Sequence, residues 1–314
     1  MTNKLAIVIP AYKAEFFKAT LESIASQTCQ DFTLYIGNDA SPHNLAAIVK
    51  EYEGRIDIVY ENFTNNLGGT DLVAHWARCV SLTKDEEWIW LFSDDDIMDV
   101  DCVENFFKYI KENSKVGLLH FDIDIINNIG EAIKHCNPFP KQLSIIDFFS
   151  KRIKFKINTT VVEYIFRKEK YYQEGGFKNY DLGWCADDAT WIKFGKHAGI
   201  ATIPVSKVKF RYSGSNISSN LFDKEIILRK LESSISHIKW IKNYFIENNL
   251  VDSTTQFEKM KWVISVVVLT RAYSFKEKYK LVLKVADNLD YNVSLPIVSL
   301  YLIYWQIRHC CRIF

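Results

Sequence analysis

The chain has no CxxC pair, no GxGxxG or Walker stretch, no large excess of positive charge and no continuous apolar run of bilayer-spanning length. Without CxxC pairs a structural zinc site is not expected. Seven cysteines (29, 79, 102, 136, 185, 310 and 311) are odd in number and scattered, which argues against a disulfide framework and for reduced thiols in a cytoplasmic protein. The missing glycine-rich signatures weaken dinucleotide and ordinary nucleoside-triphosphate readings. A net charge of +1 is too small for a protein that binds bulk nucleic acid, so none is expected as a partner. The apolar opening Leu5–Pro10 is too short for a signal-peptide core and has no cleavage site, so no export is expected. No internal repeat and no low-complexity linker interrupts the 314 residues.

What is present is enough apolar material for a sizeable core: 48% hydrophobic and 14% aromatic residues. Over the first 130 residues two periods alternate. Lys4–Ile9, Phe32–Ile36, Ile56–Tyr60 and Trp88–Phe92 read as strands. Between them Glu15–Ser26, Leu45–Tyr52 and Leu72–Val80 carry apolar residues at helical spacing. This alternation predicts βαβ units, a mostly parallel sheet and helices on both faces. Functional residues are then expected at the carboxyl ends of strands. Val116–Ile126 reads as a long strand that closes a hairpin with Ala132–His135 through the turn Asn127–Gly130. Leu143–Lys151 and Ala189–His197 read as helices, and from about Phe222 the chain reads as helical throughout. The expected division is a catalytic domain at 1–220 and a helical region at 221–314. Val293–Ile307 has no charged residue but is shorter than the roughly 20 residues that span a bilayer, and Pro296 interrupts it. A buried helix, a membrane-surface element backed by Arg308 and Arg312, and a span all stay open there.

Five stretches carry chemistry. In Trp88–Ile97 an apolar strand runs into Asp94, Asp95 and Asp96. Adjacent carboxylates repel, and burial adds to the cost. Mn²⁺ or Mg²⁺ relieves both, taking one or two carboxylates and leaving positions for diphosphate oxygens; the plainer reading is a solvated acidic turn. Asp39 and Ser41 close the second strand, where a simple turn is the alternative. Asn66-Leu67-Gly68-Gly69 precedes a helix, so backbone can approach a ligand and the helix start favours phosphate. Asp187-Asp188 opens a helical segment between Trp184 and Trp191. These acids are either dipole complements or a general base beside an aromatic sugar platform, with core packing the expected role of Trp191. Arg211 precedes a small polar loop that ends at Ser218 and is a candidate phosphate ligand.

In this order the motifs resemble the inverting family 2 glycosyltransferases of the GT-A fold, over about residues 4–218. Ile9-Pro10-Ala11-Tyr12 is similar to the family's first strand and nucleotide-binding turn. Asn38-Asp39-Ala40-Ser41 resembles its Asp-Asp-Gly-Ser element, which assigns Asp39 to the base, commonly uracil. Asn66 to Gly69 is similar to its Asn-x-Gly loop. Ser93 to Asp96 resembles its Asp-x-Asp metal motif, with Asp95 the principal ligand and Asp94 or Asp96 beside it. Asp187-Asp188 resembles its Glu-Asp pair, whose second member is the base, which points to Asp188 while leaving the choice between Asp187 and Asp188 open. Arg211 to Ser218 resembles its loop over the donor diphosphate. Four positions depart from the pattern: Asn38 and Ser93 replace acids, Ser213 replaces a frequent His, and Asp187 replaces Glu. The resemblance implies a UDP-sugar or other nucleotide-sugar donor, and a saccharide or lipid-linked saccharide acceptor. It implies a place in capsule, O-antigen or lipopolysaccharide synthesis, in the cytoplasm or peripherally on the inner membrane face. A sugar-nucleotide nucleotidyltransferase and a non-catalytic carbohydrate-binding protein are the other classes open at this point. The first would usually carry a glycine-rich basic loop where this chain has Pro10-Ala-Tyr-Lys-Ala.

Overall fold

Side chains alternate across a strand, and the opening strand shows it: Leu5, Ile7 and Ile9 pack into one core, Ala6 and Val8 into another. A computed structural model describes residues 4–214, 216–268, 270, 272–292 and 294–311. Strand-rich and helix-rich parts follow one another. The first runs β1 (Leu5–Ala11), α1 (Phe17–Ala25), β2 (Phe32–Asn38), α2 (Leu45–Lys50), β3 (Asp57–Asn62), α3 (Leu72–Val80), β4 (Trp88–Leu91), β5 (Ile97–Met98), α4 (Cys102–Glu112), β6 (Leu118–Ile126), β7 (Ala132–His135), β8 (Gln142–Leu143), α5 (Ile145–Ile153), β9 (Tyr164–Arg167), α6 (Lys168–Gln173), a 3-10 turn (Asp181–Gly183), α7 (Ala186–Phe194) and β10 (Ile200–Arg211). The second is α8 (Lys224–Glu247), α9 (Gln256–Val268), α10 (Phe275–Asn288) and α11 (Leu295–Cys311).

One sheet holds the strands in the order β3-β2-β1-β4-β9-β6-β10-β5, with β7 on β6 and β8 on β10. The four strands β3, β2, β1 and β4 are mutually parallel, as the alternation predicts. β6 and β10 are also parallel, but β9 lies antiparallel between β4 and β6. Its four residues, three of them apolar, are too few for periodicity to separate a strand from a piece of buried helix, which is why the sequence leaves it unread. The predicted hairpin of β6 and β7 forms through Asn127–Gly130.

Helices α1, α2 and α4 cover one face of the sheet. Helices α3, α5 and α7 cover the other, and the C-terminal helices add to that same core through residues such as Ile227, Val263 and Val282. β4 is buried along its whole length because it is flanked by β1 and β9 and covered on both faces. The chain therefore leaves the core at Phe92 and must place Asp94–Asp96 at the sheet's carboxyl edge. Caps set the helix starts: the Asp71 side chain accepts from Ala74 N before α3, Asp223 from Glu225 N and Ile226 N before α8. Val293 and Arg312–Phe314, part of the uncharged C-terminal stretch and its basic tail, lie outside the described residues.

Candidate active site

The ends of β1, β2 and β4, the loop before α3 and the start of α7 surround one cavity of about 450 Å³. That volume suits a ligand of nucleotide-sugar size. Pro10, Tyr12, Asp39, Asn66, Gly68, Asp94, Asp95, Trp184 and Asp187 all line it. Sequence positions nearly 180 residues apart are thus brought together by the topology of the sheet.

On one side, Asp39 is 2% exposed and accepts from Leu67 N (2.8 Å) and Gly68 N (2.8 Å) and from the Arg78 guanidinium. A Cβ on Gly68 would stand 2.6 Å from Asp39 Oδ2, so this approach of loop to carboxylate requires glycine. His75 flanks the pair and is held near pKa 4 by burial, so Arg78 supplies the cation. Neither residue announces itself in the sequence, although three positions apart on α3 they share a helix face. Asn66 Oδ1 accepts from Gly69 N at 2.7 Å and shapes the turn. Asn38 donates through Nδ2 to Tyr60 Oη and Asn62 Oδ1 and accepts from Ser41 N. An aspartate in its place could not donate, which accounts for that departure.

The acidic turn divides its labour. Asp94 Oδ2 accepts from Tyr12 N and Lys13 N, both at 2.7 Å, so it fixes the turn after β1. Burial, then the Asp95 charge, raises its carboxyl to about pKa 6. Asp95 Oδ2 pairs with Lys13 Nζ at 2.9 Å. Oδ1 of each has no hydrogen-bond donor among the described residues. Two adjacent carboxylates with one free oxygen each, at the cavity wall, fit Mg²⁺ or Mn²⁺ completed by phosphate oxygens. The described residues contain no cluster of three or more His, Cys, Asp or Glu suited to an all-protein site. Of the two partners expected beside Asp95, Asp96 is the one the structure turns away from a metal role. It is fully buried, and its oxygens accept from Arg211 N (2.6 Å) and Ser93 Oγ (2.5 Å). Ser93, standing where an acid is usual, is the donor that makes this anchoring possible.

Arg211 is a second correction. Its Nε donates to Asp95 O, and Nη1 to Asn127 O and Asn128 O, while the guanidinium lies 4.4 Å over the Phe16 ring. It ties the acidic turn to the β6–β7 hairpin instead of reaching into the cavity. Ser213 Oγ is hydrogen-bonded to Asn216 Oδ1 within its own loop, and Asn216, Ile217 and Ser218 do line the cavity.

The third correction concerns the acidic pair. Asp187 is half-buried and faces the cavity, whereas Asp188 is 1% exposed and turned into Arg152, whose Nε donates to both its oxygens at 3.0 and 2.9 Å. Consecutive helix residues point about 100° apart, so one member of the pair must leave the cavity when the other faces it. Burial, then the Asp188 charge, raises the Asp187 carboxyl to about pKa 7. Such a group is poised to take a proton near neutral pH. Trp191 is wholly buried and stacks on Tyr164 at 4.5 Å, the packing role expected of it. Trp184 stays on the cavity wall, its Nε1 donating to Ser234 Oγ at 3.0 Å. Lys13, Arg152 and Trp262 also line the cavity, and no local pattern singles them out.

The model of glycosyl transferase family 2 matches residues 6–168, more than half of the chain. The uncharacterized glycosyltransferase MJ1057 of Methanocaldococcus jannaschii is 28% identical over 174 residues, which cover 53% of this chain and 58% of that protein. The match thus spans little more than half the length of this curated relative. Among solved structures, S. aureus TarS 1-349 in complex with UDP-GlcNAc aligns with a TM-score of 0.58 at 14% identity, over 91% of this chain and 81% of that one. GalNAc-T7 with UDP, GalNAc and Mn²⁺ aligns with a TM-score of 0.52 at 11% identity, over 85% and 57%. At these identities the likeness is one of fold, and it is the GT-A fold that the sequence resemblance implies. With the turn after β1, the acidic turn and nearly all of the first four parallel strands inside the matched segment, the chain belongs to glycosyl transferase family 2.

Proposed function

We propose that the protein is an inverting glycosyltransferase that moves a sugar from a nucleotide-diphosphate donor, a UDP-sugar, to an acceptor hydroxyl. The observation that carries the reading is the convergence of Asp39, the Asp94–Asp95 pair and Asp187 on one cavity. UDP in the solved structures of TarS and GalNAc-T7 is consistent with the choice of nucleotide.

The nucleotide base lies against Asp39 and the Leu67–Gly68 backbone, and the diphosphate lies across the acidic turn. Asp95 and Asp94 would hold Mn²⁺ or Mg²⁺, and the ion would supply charge stabilisation for the leaving diphosphate. Lys13, released from Asp95, adds a second cation there. Asn216–Ser218 close over the donor. Asp187 takes the proton of the acceptor hydroxyl as that oxygen attacks the anomeric carbon from the face opposite the diphosphate. One displacement inverts the centre and needs no covalent nucleophile. The buried Asp188 and the partly exposed Arg152 form an ion pair that orients Asp187 and sets its proton affinity, and Trp184 offers the acceptor an apolar platform. Residues 1–220 carry this chemistry in the proposed division, and 221–314 form the helical region.

The proposed setting is cell-surface polysaccharide synthesis on a lipid-linked saccharide at the inner membrane face. α11 supports peripheral membrane contact, since Ile297, Leu300, Ile303, Tyr304 and Ile307 are each at least 44% exposed along it. No described helix is long and apolar enough to cross a membrane. Flotation with anionic liposomes at low salt tests this: the full chain floats, and a chain shortened before residue 293 does not. Sedimentation of the full chain free of lipid would remove the membrane proposal.

The reaction itself is tested by incubating the protein with UDP-, GDP- and dTDP-sugars, with Mn²⁺ or EDTA, and assaying nucleotide diphosphate. Metal-dependent release from a UDP-sugar is expected. No release from any donor, together with no thermal shift on adding UDP and Mn²⁺, would favour a non-catalytic carbohydrate-binding protein.

A further inference from the structure

The C-terminal helices contribute to the cavity as well as to the core beneath it. Trp262 on α9 lines the cavity beside Arg152 of α5, and the Arg152 guanidinium lies 6.0 Å from the Trp262 ring. Arg152 spends only Nε on Asp188. Its Nη1 and Nη2 find no hydrogen-bond acceptor among the described residues, and they are not sealed from solvent. A guanidinium nitrogen can only donate, so these two arms, which water reaches in the free protein, are available to a ligand with lone pairs. Trp262 is 7% exposed, so what it offers the cavity is a limited apolar patch on a held ring. The ring also packs against His237 of α8, tilted, at 5.6 Å between ring centres.

An anionic ligand is disfavoured at this spot. Asp188 already balances the Arg152 charge, and Asp187 faces the same volume. A third negative group would meet two carboxylates. A neutral ligand with hydroxyls along its rim and an apolar C–H face satisfies both walls. A pyranose ring has both features: its hydroxyl oxygens accept from the guanidinium while its C–H face covers the indole. The larger cavity of about 660 Å³ between α8 and the ends of α9 and α10 offers no comparable pairing, its wall mixing Lys239, Lys242 and Lys259 with Asp252, Asp287 and Asp290.

We propose that Trp262, together with the two free arms of Arg152, binds a neutral pyranose ring of the acceptor and so sets acceptor specificity from the C-terminal helical region. The proposal rests on the reading of this cavity as a glycosyltransferase site and adds to it which residues select the acceptor.

The test uses the full chain saturated with UDP and Mn²⁺. The probes are methyl glycosides of glucose, galactose, mannose and N-acetylglucosamine, followed by saturation-transfer NMR at their ring protons, with UDP affinity measured in the same samples. Saturable binding of at least one glycoside is expected. It weakens about tenfold in Trp262→Leu, which keeps apolar bulk but no ring, and returns to within about threefold of wild type in Trp262→Phe. UDP affinity stays within about twofold throughout, a separation that a merely structural role for Trp262 would not give. The proposal is overturned if UDP binds but no glycoside does, if Trp262→Leu binds glycoside as wild type does, or if it loses UDP and glycoside together. Failure of the wild-type protein to bind UDP overturns the underlying reading with it.

Discussion

The two halves of the cavity are built on different principles. On the proposed donor side, backbone N–H groups supply most of the grip on the carboxylates: Asp39 accepts from Leu67 and Gly68, with the Arg78 guanidinium beside them, and Asp94 accepts from Tyr12 and Lys13. On the proposed acceptor side, Asp188 is held by the side chain of Arg152 from another helix, and Trp184 and Trp262 are positioned by packing on or bonding to α8. Backbone donors cannot be exchanged for another residue type, whereas side-chain partners can. On the proposed reading, the difference would let one fold keep a constant nucleotide grip while its acceptor wall varies.

The largest effect that sharpens this comparison is expected from Asp95→Asn. Loss of the carboxylate oxygen at the proposed metal position lowers metal-dependent nucleotide release by about a thousandfold. UDP affinity in EDTA is unchanged, as titration calorimetry would read. Equal loss of affinity with and without metal would mean that Asp95 serves the fold instead.

A smaller effect follows from Gly68→Ala. The new Cβ meets Asp39 Oδ2 at 2.6 Å, and that carboxylate is pinned by two N–H groups and Arg78, so the loop must move. UDP affinity falls by roughly tenfold, since one or two misaligned hydrogen bonds cost about that factor. An unchanged affinity would show the donor side to be as adaptable as the acceptor side and would remove the contrast.

The same contrast explains what could be read from the sequence. The strand-to-acid passage at Trp88–Asp96, the Asp39 turn and the Asn66–Gly69 loop are local signals, because a buried strand followed by charges can only sit at a sheet edge. Arg211 misleads for a physical reason. An arginine at a strand end looks the same whether its guanidinium faces a phosphate or three backbone carbonyls. Asp96 misleads in the same way, since three adjacent acids do not reveal which one turns into Ser93 and the Arg211 backbone. Arg152 and Trp262 lie on helices whose patterns are those of ordinary packing, and only the tertiary fold brings them together. The Asp187–Asp188 ambiguity is a rotation of about 100° per helix residue, which no composition records.

That pair also gives the most direct test of the central claim, that Asp187 is the base and Asp188 its orienting partner. Nucleotide release from the preferred UDP-sugar is measured against pH for wild type, Asp187→Asn and Asp188→Asn. The wild-type rate rises with pH through an acid limb near 7, because the raised Asp187 carboxyl must lose its proton to act. Asp187→Asn loses at least about a hundredfold in rate at every pH while UDP affinity stays within about threefold. Asp188→Asn stays active with its limb moved to lower pH, since removing the negative neighbour and uncovering Arg152 both lower the Asp187 pKa. A dead Asp188→Asn beside an active Asp187→Asn would contradict the account and put the base one residue later.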